Sequence, residues 1–171
     1  MRDDISKDLE RAYGNLRRPS YAFAEERLSA GMHENVTLHL SRAFAVEDQT
    51  SLGSDDVCRT IFIRPREGTG AWCWSVQLSL VGHYAVVSRV GEAGAAWPII
   101  EAHGNPNEGV LLDTLRAAGM ELLRYEELRE PTDLRPPNSN TGDIYTVYNA
   151  LFTDMNPFPV DASRDKLKTN A

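Results

Sequence analysis

The stretch WCWSVQLSL, residues 72–80, decides the fold class. Trp72, Trp74, Val76, Leu78 and Leu80 alternate with Cys73, Ser75, Gln77 and Ser79. Only a β-strand turns a period of two into one apolar face and one semi-polar face. Gly82 and His83 then predict a turn back into a second strand over Tyr84 to Val90, or a bulge within one bent strand. Upstream, Arg59 to Arg64 reads as a strand that Pro65 ends. Val36, Leu38, Leu40, Phe44 and Val46 share one parity, which predicts a half-buried strand over residues 36–46. Downstream, Trp97 to Ala102 predicts a short strand, with Pro98 placing it at an edge or a strand start. Ile144 to Phe152 is apolar on both parities and predicts a last strand covered on two sides.

Helical spacing surrounds these strands. Ile5, Leu9, Ala12, Tyr13 and Leu16 predict a helix over residues 3–16, capped by Asp3 or Asp4. Ser20 is placed to cap a second helix from Tyr21 to Ala30, with Gly31 as its stop. Asn107 is expected to cap a helix through Leu111, Leu112, Leu115 and Ala118, which Gly119 terminates. Met120 to Arg124 reads as a brief strand and Tyr125 to Arg129 as one helical turn. These elements predict a single α+β domain over residues 1–154, with a mostly antiparallel sheet of about five or six strands. N-terminal helices and one later helix pack on that sheet. Residues 155–171, polar and charged after Pro157, are expected to form a poorly ordered tail.

Charge and composition narrow the function. The chain carries 25 acidic against 18 basic residues, a net charge of −7, and no basic stripe of the kind that neutralises phosphates, which argues against nucleic acid as a partner. No apolar run approaches the ~20 residues of a membrane span, and the start, Met1-Arg2-Asp3-Asp4, is too charged for a secretory signal. The expectation is a cytoplasmic protein with no membrane partner. Two cysteines, Cys58 and Cys73, form neither a disulfide framework nor a paired zinc-ligand pattern. Glycine-rich phosphate loops, GxSxG, HExxH and EF-hand loops are absent from the sequence. The reading predicts no metal and no cofactor, and leaves the oligomeric state open.

Three groups of residues remain as candidates for chemistry. Glu101, His103 and Asn105 are spaced by two and would project to one face of an extended chain, as an acid–base cluster needs. Gly104 to Asn107 reads more simply as a turn. Cys73 and His83 would meet across a hairpin in particular registers, the minimum for an activated thiolate, although a cysteine between two tryptophans reads more simply as a buried apolar residue. The stretch from Glu47 to Asp56 carries Glu47, Asp48, Asp55 and Asp56 without a basic residue. It is expected to be a solvated loop whose carboxylates steer and dock a basic protein surface, or merely aid solubility.

The Trp-containing strand at 72–80, the helix from Leu111 to Gly119 and the ending TVYNALF at 146–152 build a small acidic α+β domain that resembles the immunity proteins of bacterial polymorphic-toxin and contact-dependent competition systems. The likeness is one of architecture and transfers no binding residue. It implies a non-catalytic protein that neutralises a cognate toxin by stoichiometric binding; the acidic charge, and not the likeness, makes Glu47, Asp48, Asp55 and Asp56 the expected contacts. Two alternatives stand beside it: a secretion chaperone that holds an effector segment, and a small enzyme without a local motif.

Overall fold

The computed structural model describes residues 1–51, 56–67, 71–91, 99–135 and 145–153. Three helices open the chain: α1 (Asp3–Tyr13), α2 (Ala22–Ser29) and α3 (Glu34–Ala43). Strands β1 (Phe44–Asp48), β2 (Cys58–Pro65), β3 (Trp74–Ser79) and β4 (Tyr84–Arg89) follow. Helix α4 (Pro106–Ala117), strand β5 (Glu121–Leu122) and the short helices α5 (Tyr125–Leu128) and α6 (Val147–Leu151) complete the described elements. The five strands lie in the order β1-β2-β3-β4-β5. All neighbours are antiparallel except β4 and β5, which pair in parallel after the α4 crossover. The fold is the expected α+β domain with an open, mostly antiparallel sheet.

The alternation holds over β3 itself; Leu80, expected on the same face, packs in the core on the other side of the sheet. Trp74, Val76 and Leu78 point to one face, with Ile61, Ile63, Ala85 and Val87 beside them, and pack against Val36 and Leu40 of α3 and Leu111, Leu112 and Leu115 of α4. Each such side chain removed from water contributes about 1.5–3 kcal/mol before the entropy of ordering it is counted. The other face is covered too. Cys58, Tyr84 and Val86 join Ile5, Leu9 and Tyr13 of α1 and Val147, Tyr148, Ala150 and Leu151 of α6 in a second core. The Tyr13 hydroxyl donates to the Ala150 carbonyl at 2.7 Å, tying the first helix to the last. Trp72 falls just before β3 and stays half-buried, with the Arg64 guanidinium 5.3 Å from its ring centroid.

Two expected strands are helices. Over residues 36–46 the same apolar residues satisfy a four-residue spacing: Val36 and Leu40 are buried, whereas Leu38, on the parity expected to face the core, is 57% exposed. Helix α3 then runs into β1 with no intervening loop, so only residues 44–48 are extended. The segment expected as a strand from Ile144 is α6 over its second half. Every residue of α6 is buried, and a helix covered all round carries no face pattern to separate it from a covered strand. Its start is fixed by a reciprocal cap, in which the Thr146 hydroxyl accepts from the Asn149 amide at 3.4 Å and the Asn149 side chain accepts from the Thr146 amide at 3.1 Å. Ile144 lies outside the described residues, as do Trp97, Pro98 and the tail from 155 onward. Of the expected strand at 97–102, Ile99 makes a single antiparallel bridge to Ser88.

Helix ends depart in detail. Arg2 stands at the N-cap of α1 without a side-chain cap, and Asp3 and Asp4 fall in its first turn, where carboxylates face the positive end of the helix dipole. Asn105, not Asn107, caps α4, accepting from the Glu108 amide at 3.0 Å. Gly119 ends that region with φ +81°, a conformation glycine adopts without strain.

Candidate functional site

The acidic stretch is only partly a loop. Glu47 and Asp48 are the last residues of β1, which among the described residues forms an outer edge of the sheet. Both are exposed. The Glu47 carboxylate accepts from the Gln49 side chain. Asp48 is held more firmly. Its Oδ1 accepts from the Thr50 amide at 2.9 Å and from the Thr50 hydroxyl at 2.5 Å, while Oδ2 accepts from Arg59 Nε at 2.8 Å. Burial by itself would raise the Asp48 carboxyl, but the Thr50 and Arg59 bonds outweigh it and hold the group below its ordinary range. Arg59, which also donates to the Met32 carbonyl at 3.3 Å, therefore supplies from β2 the counter-charge that the acidic stretch itself lacks. Asp48 positions the chain as it leaves β1, and Glu47 is left facing outward.

Asp56 sits half-buried just ahead of β2. The next residue, Val57, is pinned on two sides, donating to the Phe152 carbonyl at 2.9 Å and accepting from the Leu80 amide at 2.7 Å. Asp55 lies outside the described residues. Thus Glu47, Asp48 and Asp56 approach one end of the sheet from β1 and β2.

The two catalytic candidates do not assemble. Cys73 precedes β3 and accepts at its carbonyl from the Val90 amide, 2.9 Å away, whereas His83 lies in the turn at the far end of the same hairpin. A strand of that length separates them by about 20 Å, at ~3.3 Å per residue. Of the turn and the bulge that the sequence allows at Gly82 and His83, the structure has the turn, and it places the thiol and the imidazole at opposite ends. Glu101, His103 and Asn105 are each engaged apart. Glu101 accepts from the Tyr125 amide at 2.5 Å, Asn105 caps α4, and the His103 ring lies against Gly109. The other cysteine, Cys58, is buried, and burial pushes its thiol up to about 12, so it is not a thiolate at neutral pH.

Two buried polar groups escape the sequence reading. Glu108 is 1% exposed and accepts four bonds, from Arg89 Nε at 2.7 Å, Arg89 Nη2 at 2.8 Å, the Gly104 amide at 2.6 Å and Trp74 Nε1 at 3.3 Å. Arg89 above all, with the Gly104 amide and Trp74, holds the Glu108 carboxyl down to about 2. Its spacing from Asn105, three residues, is that of a capping box and signalled a tethered helix start. His33 is the second group. It takes φ +69°, the one positive φ among the described non-glycine residues, and its Nε2 meets the Ser79 carbonyl at 2.7 Å. Its ring lies 5.8 Å from that of His83, edge to face. Burial, then the neighbouring His83 and Arg59, push its pKa down against the Ser79 and Gly82 carbonyls. Both groups fasten one element to another: Glu108 ties the start of α4 to β4, and His33 ties the start of α3 to the end of β3.

Among the described residues no group of three or more His, Cys, Asp or Glu is placed to hold a metal ion, and no helix is long and apolar enough to cross a membrane. No protein-family model, no curated protein and no solved structure matches this chain.

Proposed function

We propose that this chain is a stoichiometric protein-binding module of the immunity-protein kind, which neutralises a cognate toxin by docking a basic surface on the acidic end of β1 and the start of β2. One observation carries the reading: Glu47 stands exposed on an outer edge strand while Asp48 beside it is locked by Thr50 and Arg59. A carboxylate held on a rigid strand steers an oppositely charged partner at little ordering cost. The net charge of −7 extends that attraction beyond contact distance. The interface would use Glu47, Asp55 and Asp56 toward the partner, with Asp48 fixing the chain as it leaves β1 through Thr50 and Arg59. Glu101 accepts from the Tyr125 amide and Asn105 caps α4, which commits both to local structure.

The test is capture of the tagged full chain's partner from its native source, with washes at low and moderate salt, followed by association kinetics with that partner. A single stoichiometric partner carrying a toxic domain, bound more slowly by Glu47→Lys and Asp56→Lys variants and with a weaker salt dependence, is the expected result. An effector segment in place of a folded toxin would replace immunity by chaperoning. Association rates unchanged by both charge reversals would remove this end of the sheet from the interface.

A further inference from the structure

The chain passes from α2 into α3 through two residues with left-handed backbone, Gly31 at φ +78° and His33 at φ +69°. Glycine adopts that conformation freely, whereas a histidine keeps it only where its surroundings hold it there. Here the hold comes from the sheet. His33 Nε2 lies 2.7 Å from the Ser79 carbonyl at the end of β3, and because a carbonyl only accepts, that nitrogen carries the proton. One residue earlier, the Met32 carbonyl accepts from Arg59 Nη1 of β2 at 3.3 Å. These two bonds fasten the start of α3 to β3 and β2.

The His33 ring is 5% exposed, and several groups that face it are positive or become so on protonation. Arg59 approaches from β2, and the exposed His83 ring, in the turn between β3 and β4, stands edge to face at 5.8 Å. Arg27 of α2 donates to the Leu80 and Val81 carbonyls at 2.6 and 2.8 Å, just past Ser79. The acids of the same neighbourhood face other groups. Asp48 of β1 accepts from Arg59, Asp8 of α1 accepts from the Tyr84 hydroxyl at 2.8 Å, and the Glu34 carboxylate folds back over Gly31. A proton on the second ring nitrogen of His33 would set a buried charge beside Arg59 and His83. The carbonyls of Ser79 and Gly82 that also face the ring are neutral acceptors.

We propose that residues 31–37 form a proton-triggered latch, in which neutral His33 fastens the start of α3 to β3 and proton uptake releases that start locally. On release the imidazolium reaches water, the histidine backbone gives up its left-handed conformation, and Arg59 exchanges its bond to Met32 for water while keeping Asp48. Leu40, packed in the core further along α3, holds the remainder of the helix in place. The latch does not rest on the toxin reading.

The direction with pH follows from which form binds the proton better. The released form takes it up at the ordinary histidine value of about 6.5, and the fastened form resists it. Release is therefore favoured as the pH falls through that value, and the released fraction should rise about ten-fold between pH 7.5 and pH 5.5.

Amide hydrogen exchange of the full chain, read by NMR at both pH values and corrected for the intrinsic rate, tests the latch. The Thr37 amide, which donates to the His33 carbonyl at 3.1 Å, should lose about ten-fold in protection at the lower pH. The Val147 amide, bonded to the Glu130 carbonyl in another part of the molecule, should keep its protection. In His33→Asn, whose side chain tolerates the left-handed backbone and does not titrate, protection at Thr37 should be the same at the two pH values. The native His33 ring supplies a check that needs no variant: its Cε1 proton should titrate with a midpoint below 6.5. Equal protection of Thr37 at both pH values in the wild type overturns the proposal, as does a loss shared equally by Val147 or by His33→Asn. A native ring that titrates at or above 6.5 overturns it as well.

Discussion

Replacing Glu108 with glutamine isolates the contribution of one buried charge. Glu108 is 1% exposed and its carboxylate accepts from Arg89, Gly104 and Trp74. Glutamine keeps the volume but turns one acceptor into a donor that faces other donors. A carboxyl held at about 2 instead of 4.5 corresponds to about 3 kcal/mol of stability at neutral pH. The Arg89 side chain is 44% exposed, and solvent screening there brings the expectation to about 2 kcal/mol. For a chain of this size that is a fall in Tm of about 4–8 °C. The sign with pH follows from the direction of the shift. The native state holds the charge more tightly than the unfolded chain, so the stabilisation is complete above about pH 4.5 and is lost as the pH falls toward 2. Urea unfolding of both proteins at pH 7, 5 and 3 should show the wild-type advantage shrinking at the lowest pH. An advantage below about 0.5 kcal/mol at pH 7, near the error of such extrapolations, or one that is the same at pH 3 as at pH 7, would refute the reasoning.

Other measurements follow from the same structure. Because burial pushes His33 below its ordinary 6.5, the unfolded chain takes up the proton first. Stability should therefore decline as the pH drops below about 6.5, and His33→Asn, which tolerates a positive φ, should flatten that part of the profile; an unchanged slope would assign it to other groups. Cysteine labelling of the native protein should modify Cys73, half-buried, and spare Cys58 until the chain unfolds; equal rates at the two thiols would contradict their placement. At Gly82 an added Cβ would come within 2.7 Å of the Tyr84 ring and 3.1 Å of Asp8 Oδ2. Gly82→Ala should cost about 1–3 kcal/mol as overpacking, with disruption of the Tyr84–Asp8 hydrogen bond, and a neutral thermal melt would count against that crowding.

What could be read in the sequence depended on whether one face of an element meets water. Helices α1 and α4 each bury a distinct side, and their periods show it; residues 74–79 are covered on both faces, and their alternation is visible because one face carries Ser75, Gln77 and Ser79. Over Val36 to Val46 the apolar residues fit both periods, and the distinction rested on Leu38, which a strand would have buried and the helix exposes. Residues 147–151 are buried on all sides, so only the Thr146–Asn149 cap marked the helix. At the acidic stretch the four carboxylates were visible, but not the Arg59 partner, because pairing across β1 and β2 depends on register. Cys73 and His83 were legible as residue types, while their separation is set by a hairpin length that composition does not encode.

The direct passage from Ala43 to Phe44 couples two kinds of geometry that most proteins keep apart. A residue inserted into α3 turns everything after it by about 100° about the helix axis, and if the added residue is absorbed into β1 it exchanges the two sides of that strand. With no loop between them to take up the slack, the region from Glu34 to Asp48 should accept substitutions far more readily than changes in length. In a library of single-residue insertions and deletions it would stand out as a gap in tolerance, and in lineages descended from this chain as a segment whose residue number stays fixed while its letters drift.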